Sequence, residues 1–439
     1  MEILRLVKRT KSVCPVCLKQ VDARVVEKEG SYFLRKTCEA HGRFSTIVWR
    51  GASPSYEEWT KDAQAFDEKG AANCPTACGL CENHIRKTCC VLVEITARCN
   101  LRCPVCFAMS GEQAACVEPT VRELSEQFKE LAAVGSTFLQ LSGGEPTVRD
   151  DLPEIVRAAR DAGMTSIQLN SNGIRLGKDR AFTKALAEAG LSFVFMQFDG
   201  MNDEIYEKLR GAPLLEAKKA AIAACRDELI GVTLVPTVVP GLNDHNLGEI
   251  VNFAVKNSPT VRGVHFQPVS YFGRYPSPPR NEDRITIPEI LQAVELQTDR
   301  KFKVRDFTTS CCDHPLCGFH GDFAVLPNNR VMRLSGGGTS SCCDDAHLKN
   351  RSFVARRWTR SPESEKESGD KADMTDMTTF LSRVKSHGFT ITAMAFQDAY
   401  NLDIDRLRHC SLHVSSGGRI IPFCSNYITA VSDADVKSI

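Results

Sequence analysis

Two short stretches share one cysteine spacing. CPTACGLC at 74–81 and CNLRCPVC at 99–106 both read Cys-x3-Cys-x2-Cys. Three thiolates so spaced can hold a 4Fe–4S cluster, which normally takes four, and leave one iron open to a small chelating molecule. A different pattern stands at the start of the chain, where CPVC at 14–17 and CEAHG at 38–42 are joined by β-rich sequence. Two such knuckles on a hairpin make a ribbon. Its ligands for tetrahedral zinc or iron are Cys14, Cys17 and Cys38, with His41 or a fourth cysteine closing the shell. Further cysteines gather at 89–90, 311–317, 342–343, 410 and 424, while Cys116 and Cys225 stand alone in helix-like context as small buried residues.

The whole chain has 439 residues and 20 cysteines, with 55 basic against 54 acidic side chains, a net charge of +1. That balance leaves no electrostatic footprint for nucleic acid and no polybasic membrane anchor. The N-terminus lacks a signal-peptide apolar region, and no stretch approaches the about 18 apolar residues of an integral membrane segment. A cytoplasmic protein is expected, peripheral to a membrane if its substrate is a lipid. In a reducing compartment, clustered cysteines point to metal rather than to disulfides.

These residues need a scaffold, and the sequence supplies one. Between 91 and 270, six apolar β-branched runs alternate with helical patterns, most of which stop at a glycine. Repeated βα units imply a parallel sheet, here an α/β partial (β/α)6 TIM-like barrel with its chemistry at the strand C-termini. The motifs fall there. CNLRCPVC follows the first strand, SGGEPT (142–147) the second and NSNG (170–173) the third; Gln197 and Asp199 end the fourth, and Gln267 ends the sixth. Four regions are expected: a metal ribbon over 1–60, an auxiliary-cluster segment over 61–90, the barrel over 91–270, and a cysteine-rich C-terminal domain over 271–439. The last region has turns at Asn328-Asn329 and at SSGG (415–418), and its charged, Ser-rich residues 349–376 read as a mobile linker.

An amino acid's amino and carboxylate groups could fill the open iron, and S-adenosylmethionine is a partner of that kind. Gly143 and Gly144 would let backbone approach it closely, and Glu145 would meet its charged amino group. Asn170, Asn172, Gln197 and Asp199 are candidates for its ribose and carboxylate contacts.

TARCNLRCPVCFA followed by LSGGEPT resembles the radical S-adenosylmethionine superfamily, although Val105 stands where an aromatic residue is usual and Phe107 follows the third cysteine. CPVC…CEAHG, CPTACGLCENH, FMQFDG…YEKLRG, VPTVVPGLNDH, VRGVHFQPVSYFGR and CDHPLCGFHGDF are similar to one branch across most of the chain. It holds archaeal tetraether-lipid synthase and methanogen hydroxymethylpterin dimethyltransferase. The resemblance implies a catalytic 4Fe–4S cluster on Cys99, Cys103 and Cys106. It implies one or two auxiliary 4Fe–4S clusters, one on Cys74, Cys78 and Cys81 with Cys89 as fourth ligand, another on Cys312, Cys317, Cys410 and Cys424. Cys311, Cys342 and Cys343 compete for that second set. Cys14, Cys17 and Cys38 would hold a rubredoxin-like mononuclear iron or zinc. The implied activity is S-adenosylmethionine cleavage to a 5′-deoxyadenosyl radical that functionalises an inert carbon. Carbon–carbon coupling on a lipid-like substrate is the first expectation, and methyl transfer to a pterin-like or other small heterocycle the second. Peptide modification stays open, and a zinc or electron-transfer scaffold without radical chemistry would leave SGGEPT unexplained. A reductase or ferredoxin would supply electrons.

Overall fold

The computed structural model describes residues 4–61, 63, 74–75, 79–111, 118–310, 312–334, 346–360, 362–367 and 374–431. The first body is a four-stranded antiparallel meander in the order β1 (Arg5–Val13), β2 (Gln20–Lys28), β3 (Ser31–Cys38), β4 (Gly42–Arg50). Glu29 and Gly30, with φ of 51° and 75°, form the two-residue turn between β2 and β3, the geometry whose twist matches paired strands. The cysteine knuckles fall in the other two turns.

The second body is one long sheet. Its core is the expected run of parallel strands: β5 (Cys90–Thr96), β6 (Phe138–Gly143), β7 (Ser166–Ser171), β8 (Phe193–Gln197), β9 (Gly231–Val235) and β11 (Val261–Pro268), each beside the next. A short strand, β10 (Thr237–Val238), pairs with β11. The connecting helices bury one apolar face each. Val121–Ala133 starts in a capping box of Thr120 and Glu123 and buries Leu124, Phe128 and Leu131, one helical turn apart. Each such side chain contributes about 1.5–3 kcal/mol of transfer free energy.

The C-terminal region extends this sheet instead of standing beside it. β12 (Gly318–Val325) and β13 (Val331–Arg333) form the hairpin turned at Asn328-Asn329. β14 (Gly388–Met394) joins β11 in parallel at one edge, and β15 (Leu412–Ser416) joins β5 in parallel at the other, followed by its hairpin partner β16 (Arg419–Pro422). Residues 395–411 therefore cross from one edge to the other. They also receive the ribbon: Thr10 Oγ1 donates to Asp403 at 2.6 Å, Ser12 Oγ to the Leu402 carbonyl at 2.6 Å, and buried Lys36 Nζ to the Ala399 carbonyl at 2.7 Å.

The mobile linker expected over 349–376 is corrected within its described residues. Ala346–Trp358 and Pro362–Glu367 are helices, and Met377–Ser386 follows. Arg262, fully buried, donates to the carbonyls of Arg357 (2.6 Å) and Ser386, so one guanidinium serves the C-terminal ends of two of these helices. Trp358 is 8% exposed and packs on Phe138, Phe193 and Phe195, with Nε1 donating to Thr390 Oγ1 at 2.9 Å. A single aromatic anchor and a buried arginine outweigh the polar composition that suggested a linker. Phe138, Phe193 and Cys90 begin their strands, so Trp358 closes the N-terminal end of the barrel. Cys225 is buried in the helix Leu215–Asp227, as expected; Cys116 lies outside the described residues.

Candidate active site

Alternate residues of a strand face the same side. In TIM barrels the inward ones are mostly branched and apolar. Here several are polar, set among apolar ones such as Phe138, Phe195 and Val235. Gln140 (β6), Gln168 and Asn170 (β7), Gln197 (β8), and His265 and Gln267 (β11) line one cavity of about 340 Å³. Cys99, Cys103 and Cys106 stand in its wall, on the loop that leaves β5.

That loop is held from two sides. Arg274, just beyond β11, donates through Nε to the Cys103 carbonyl at 2.9 Å and through Nη2 to the Ser110 carbonyl at 3.1 Å. Its backbone also pairs with Cys106 in both directions at 2.9 Å. On the other side sits SGGE. A Cβ on Gly143, whose φ is 130°, would lie 2.1 Å from the Thr96 carbonyl oxygen, and one on Gly144 2.1 Å from that of Arg98. Gly144 N donates to Thr96 O at 2.8 Å and Glu145 N to Arg98 O at 2.9 Å. The glycines thus make room for the chain entering the cysteine loop, where a ligand had been expected.

Glu145 lines the cavity and has a structural task as well. Its buried carboxylate accepts from Thr147 N and Oγ1 (3.1 and 2.6 Å), Ser171 Oγ (2.7 Å) and Asn172 N (2.6 Å). It ties the second strand end to the third. Asn172 in turn donates from Nδ2 to Asn100 Oδ1 at 2.7 Å, beside Cys99. Asp199 is fully buried and is not a cavity residue. It forms a two-point ion pair with Arg210 at 2.8 and 2.7 Å. Arg210 does reach the site: it hydrogen-bonds the Cys103 thiol and Thr237 Oγ1. Gln197 accepts from fully buried Lys218 at 3.2 Å, and Lys218 also donates to the Asn172 carbonyl.

Burial pushes the Cys99 thiol up to about 12 and raises that of Cys103, which Arg210 partly offsets. Three thiols lining one cavity, with the Arg210 cation beside Cys103, suit a metal centre, because a bound metal supplies the charge that removes their protons. The three cysteines therefore fit an open-sited cluster.

At the ribbon, the ligand atoms of Cys14, Cys17, Cys38 and His41 all lie within 4.8 Å of one another. His41 Nδ1 is 3.5 Å from Cys14 Sγ and 3.4 Å from Cys38 Sγ, and Cys17 Sγ is 3.9 Å from Cys38 Sγ. Those are the edges expected of a tetrahedron with bonds of about 2.0–2.3 Å. His41 closes the shell, which fits zinc. Burial pushes Cys14 up to about 11. At Cys38 it is outweighed by hydrogen bonds from His41 and Ala40, which bring the thiol down to about 6.

The C-terminal set is partly assembled. In Cys317, Cys410 and Cys424 burial raises all three thiols, with Cys424 and Cys317 adding to the rise at Cys410 and Cys317 to that at Cys424. Cys317 and Cys424 are buried, Cys410 is half-buried, and Arg406 Nη2 lies 3.7 Å from Cys317 Sγ. Cys312 is buried in the same loop as Cys317. Of the earlier set, Cys89 is buried in the cavity wall, Cys81 is exposed, and the Cys74 carbonyl accepts from Gln20 Nε2 at 2.8 Å. Cys78, Cys311, Cys342 and Cys343 lie outside the described residues.

Arg210, Arg274, Lys218 and Trp358 were not singled out in the sequence. Asn170, Gln197 and Gln267 were among the expected strand-end residues; Gln140, Gln168 and His265 were not, although SIQLNS and VHFQP alternate polar with apolar residues along strands that would otherwise face an apolar interior.

Residues 93–254 match the family model described as the radical SAM superfamily, and residues 6–50 match the HMPTM N-terminal zinc ribbon domain. The chain is similar to 7,8-dihydro-6-hydroxymethylpterin dimethyltransferase of Methanocaldococcus jannaschii, 34% identical over 95% of this chain and 93% of that protein. It is also similar to Fe-coproporphyrin III synthase of Methanosarcina barkeri, 34% identical over 49% of this chain and 52% of that one. Among solved structures, Streptococcus suis SuiB bound to S-adenosylmethionine matches with a TM-score of 0.41 and 12% identity, over 49% of this chain and 48% of that one.

Proposed function

The chain belongs to the radical S-adenosylmethionine superfamily, in the family of 7,8-dihydro-6-hydroxymethylpterin dimethyltransferase, and from that premise we propose that it is a radical methyltransferase acting on a pterin-like heterocycle. The observation that carries this reading is the relatedness at 34% identity across 95% of the chain, which takes in the ribbon, the barrel and the C-terminal cysteines together. The lipid-coupling expectation finds no such support. A cavity of about 340 Å³ suits a compact ring beside a nucleoside better than two lipid tails.

In this reading Cys99, Cys103 and Cys106 hold the cluster. When bound, the cluster and S-adenosylmethionine supply reductive carbon–sulfur cleavage and a hydrogen-abstracting radical. The chain's own residues then do three things. Arg274 and the SGGE turn fix the cysteine loop. Arg210 places a charge-assisted donor on Cys103. Asn170, Asn172 and Gln197 orient the bound molecule, with Glu145 and Lys218 holding Asn172 and Gln197 in place. An external one-electron donor of the reductase or ferredoxin class completes the cycle. The ribbon quartet holds zinc as a closed structural site.

Anaerobic reconstitution with iron, sulfide, S-adenosylmethionine, reductant and 7,8-dihydro-6-hydroxymethylpterin tests this. The expected products are 5′-deoxyadenosine from the molecule that is cleaved, S-adenosylhomocysteine from each S-adenosylmethionine that donates its methyl, and a pterin heavier by those methyl groups, read by mass spectrometry. Nucleoside release with no methylated pterin would sink the methyltransferase reading and leave the radical chemistry standing.

A further inference from the structure

The deepest polar groups of the cavity form one hydrogen-bonded set. Gln140 Nε2 and Gln168 Nε2 both donate to the same acceptor, Asn170 Oδ1, each at 2.8 Å. A shared acceptor fixes the orientation of both amides. Their N–H ends are turned towards Asn170, and both carbonyl oxygens are left as acceptors. Gln140 Oε1 receives only the weak Cys90 thiol donor at 3.6 Å, which uses one of its two lone pairs. Gln168 Oε1 has no partner among the described residues although the residue is 2% exposed. Across the floor, His265 is held through Nδ1 to Thr392 Oγ1 at 2.8 Å and keeps Nε2 for a ligand; burial lowers its pKa to about 4, so it is neutral. Phe195 lies beside the imidazole, with ring centroids 5.2 Å apart, and Trp358 beside Phe195 at 4.7 Å.

Resting on the pterin reading above, we propose that Gln140 and Gln168 are specificity-determining residues: their paired carbonyl oxygens receive an N–H/NH2 donor edge on a flat substrate ring, such as the 2-amino-pyrimidinone edge of a pterin. Gln140 and Gln168 are register partners on neighbouring strands, and two acceptors carried there suit two adjacent donors. A ring carrying oxygen in place of the amino group would set acceptor against acceptor and leave buried groups unpaired, which is where hydrogen-bonding sites discriminate most strongly. Phe195 and Trp358 supply the apolar floor such a ring needs.

The test is anaerobic binding to the reconstituted enzyme of two probes, 7,8-dihydro-6-hydroxymethylpterin and its 2-oxo analogue, followed by pterin fluorescence. The wild-type protein is expected to prefer the 2-amino ring by at least about tenfold. Gln168→Leu and Gln140→Leu should each erase most of that preference. Gln168→Glu, which keeps an acceptor and the side-chain shape, should retain it. Iron content and circular dichroism of each variant establish that it is folded. Wild-type binding with equal affinity for both rings, or unchanged preference in both leucine variants, would overturn the proposal while leaving the methyltransferase reading intact. Failure of the wild-type protein to bind either ring would overturn the substrate class itself and this proposal with it.

Discussion

The ribbon and the barrel mouth both gather three cysteines, and they do so by different means. In the ribbon, Cys14, Cys17, Cys38 and His41 converge within 4.8 Å on two hairpin turns, which complete a shell around a single ion. At the mouth, Cys99, Cys103 and Cys106 surround part of a cavity, and the loop that bears them is stabilised by Arg274 and SGGE backbone contacts. Among the described residues they do not converge on a single ion as the ribbon ligands do. The same side chain thus makes a closed structural site when its turn brings a further ligand, and an open reactive one when the turn faces a cavity. The count of ligands at the point of convergence decides the role, and spacing alone does not.

The largest effect should come from breaking the open site. Cys103→Ala is expected to abolish S-adenosylmethionine cleavage while zinc in the ribbon stays at its wild-type level, read by nucleoside chromatography and metal analysis on the same sample. Next, Gly144→Ala places a methyl group 2.1 Å from the Arg98 carbonyl oxygen, so the segment entering Cys99 must move. Most of the cluster iron should be lost although every cysteine remains; full iron with normal cleavage would show that the loop tolerates the shift. His41→Ala opens the closed site. It should cost the ribbon's metal and lower the melting temperature, and activity should fall less than in either mouth variant. Equal loss of cleavage would mean that the ribbon is not merely structural. The smallest effect is a pH dependence. Burial holds His265 near 4, so between about 6.5 and 4 the unfolded chain binds a proton that the folded one does not. Stability should decline as pH falls through that window, and His265→Gln should flatten this part of the denaturation profile.

Much of this arrangement was legible beforehand, for identifiable reasons. The six βα units announced themselves because helix and strand periods alternate, and the strand-end rule then placed the cysteine loop, SGGE and NSNG together. Asp199 was misread because a carboxylate at a strand end looks the same whether it faces a cavity or a buried arginine. Only the fold brings Arg210, eleven residues on, against it. Trp358 was hidden by its neighbours, since a stretch rich in arginine, serine and glutamate carries only two aromatic residues, Phe353 and Trp358, and the burial of Trp358 outweighs the polar composition. The strands β14 and β15 could not be placed on the two flanks of the parallel run, because nothing local tells a strand which partner it will pair with 125 or more residues away.

Trp358 also bears on the order of events. A chamber stoppered at its base fills and empties in sequence. On the proposed reading, a ring resting on the floor would have to arrive before anything larger settled above it at the cysteine loop, and it would leave only after that upper occupant had gone. For a reaction that generates a radical, such sequence is protective: the upper molecule would become a lid over the lower one, and bond cleavage would begin with its target already enclosed.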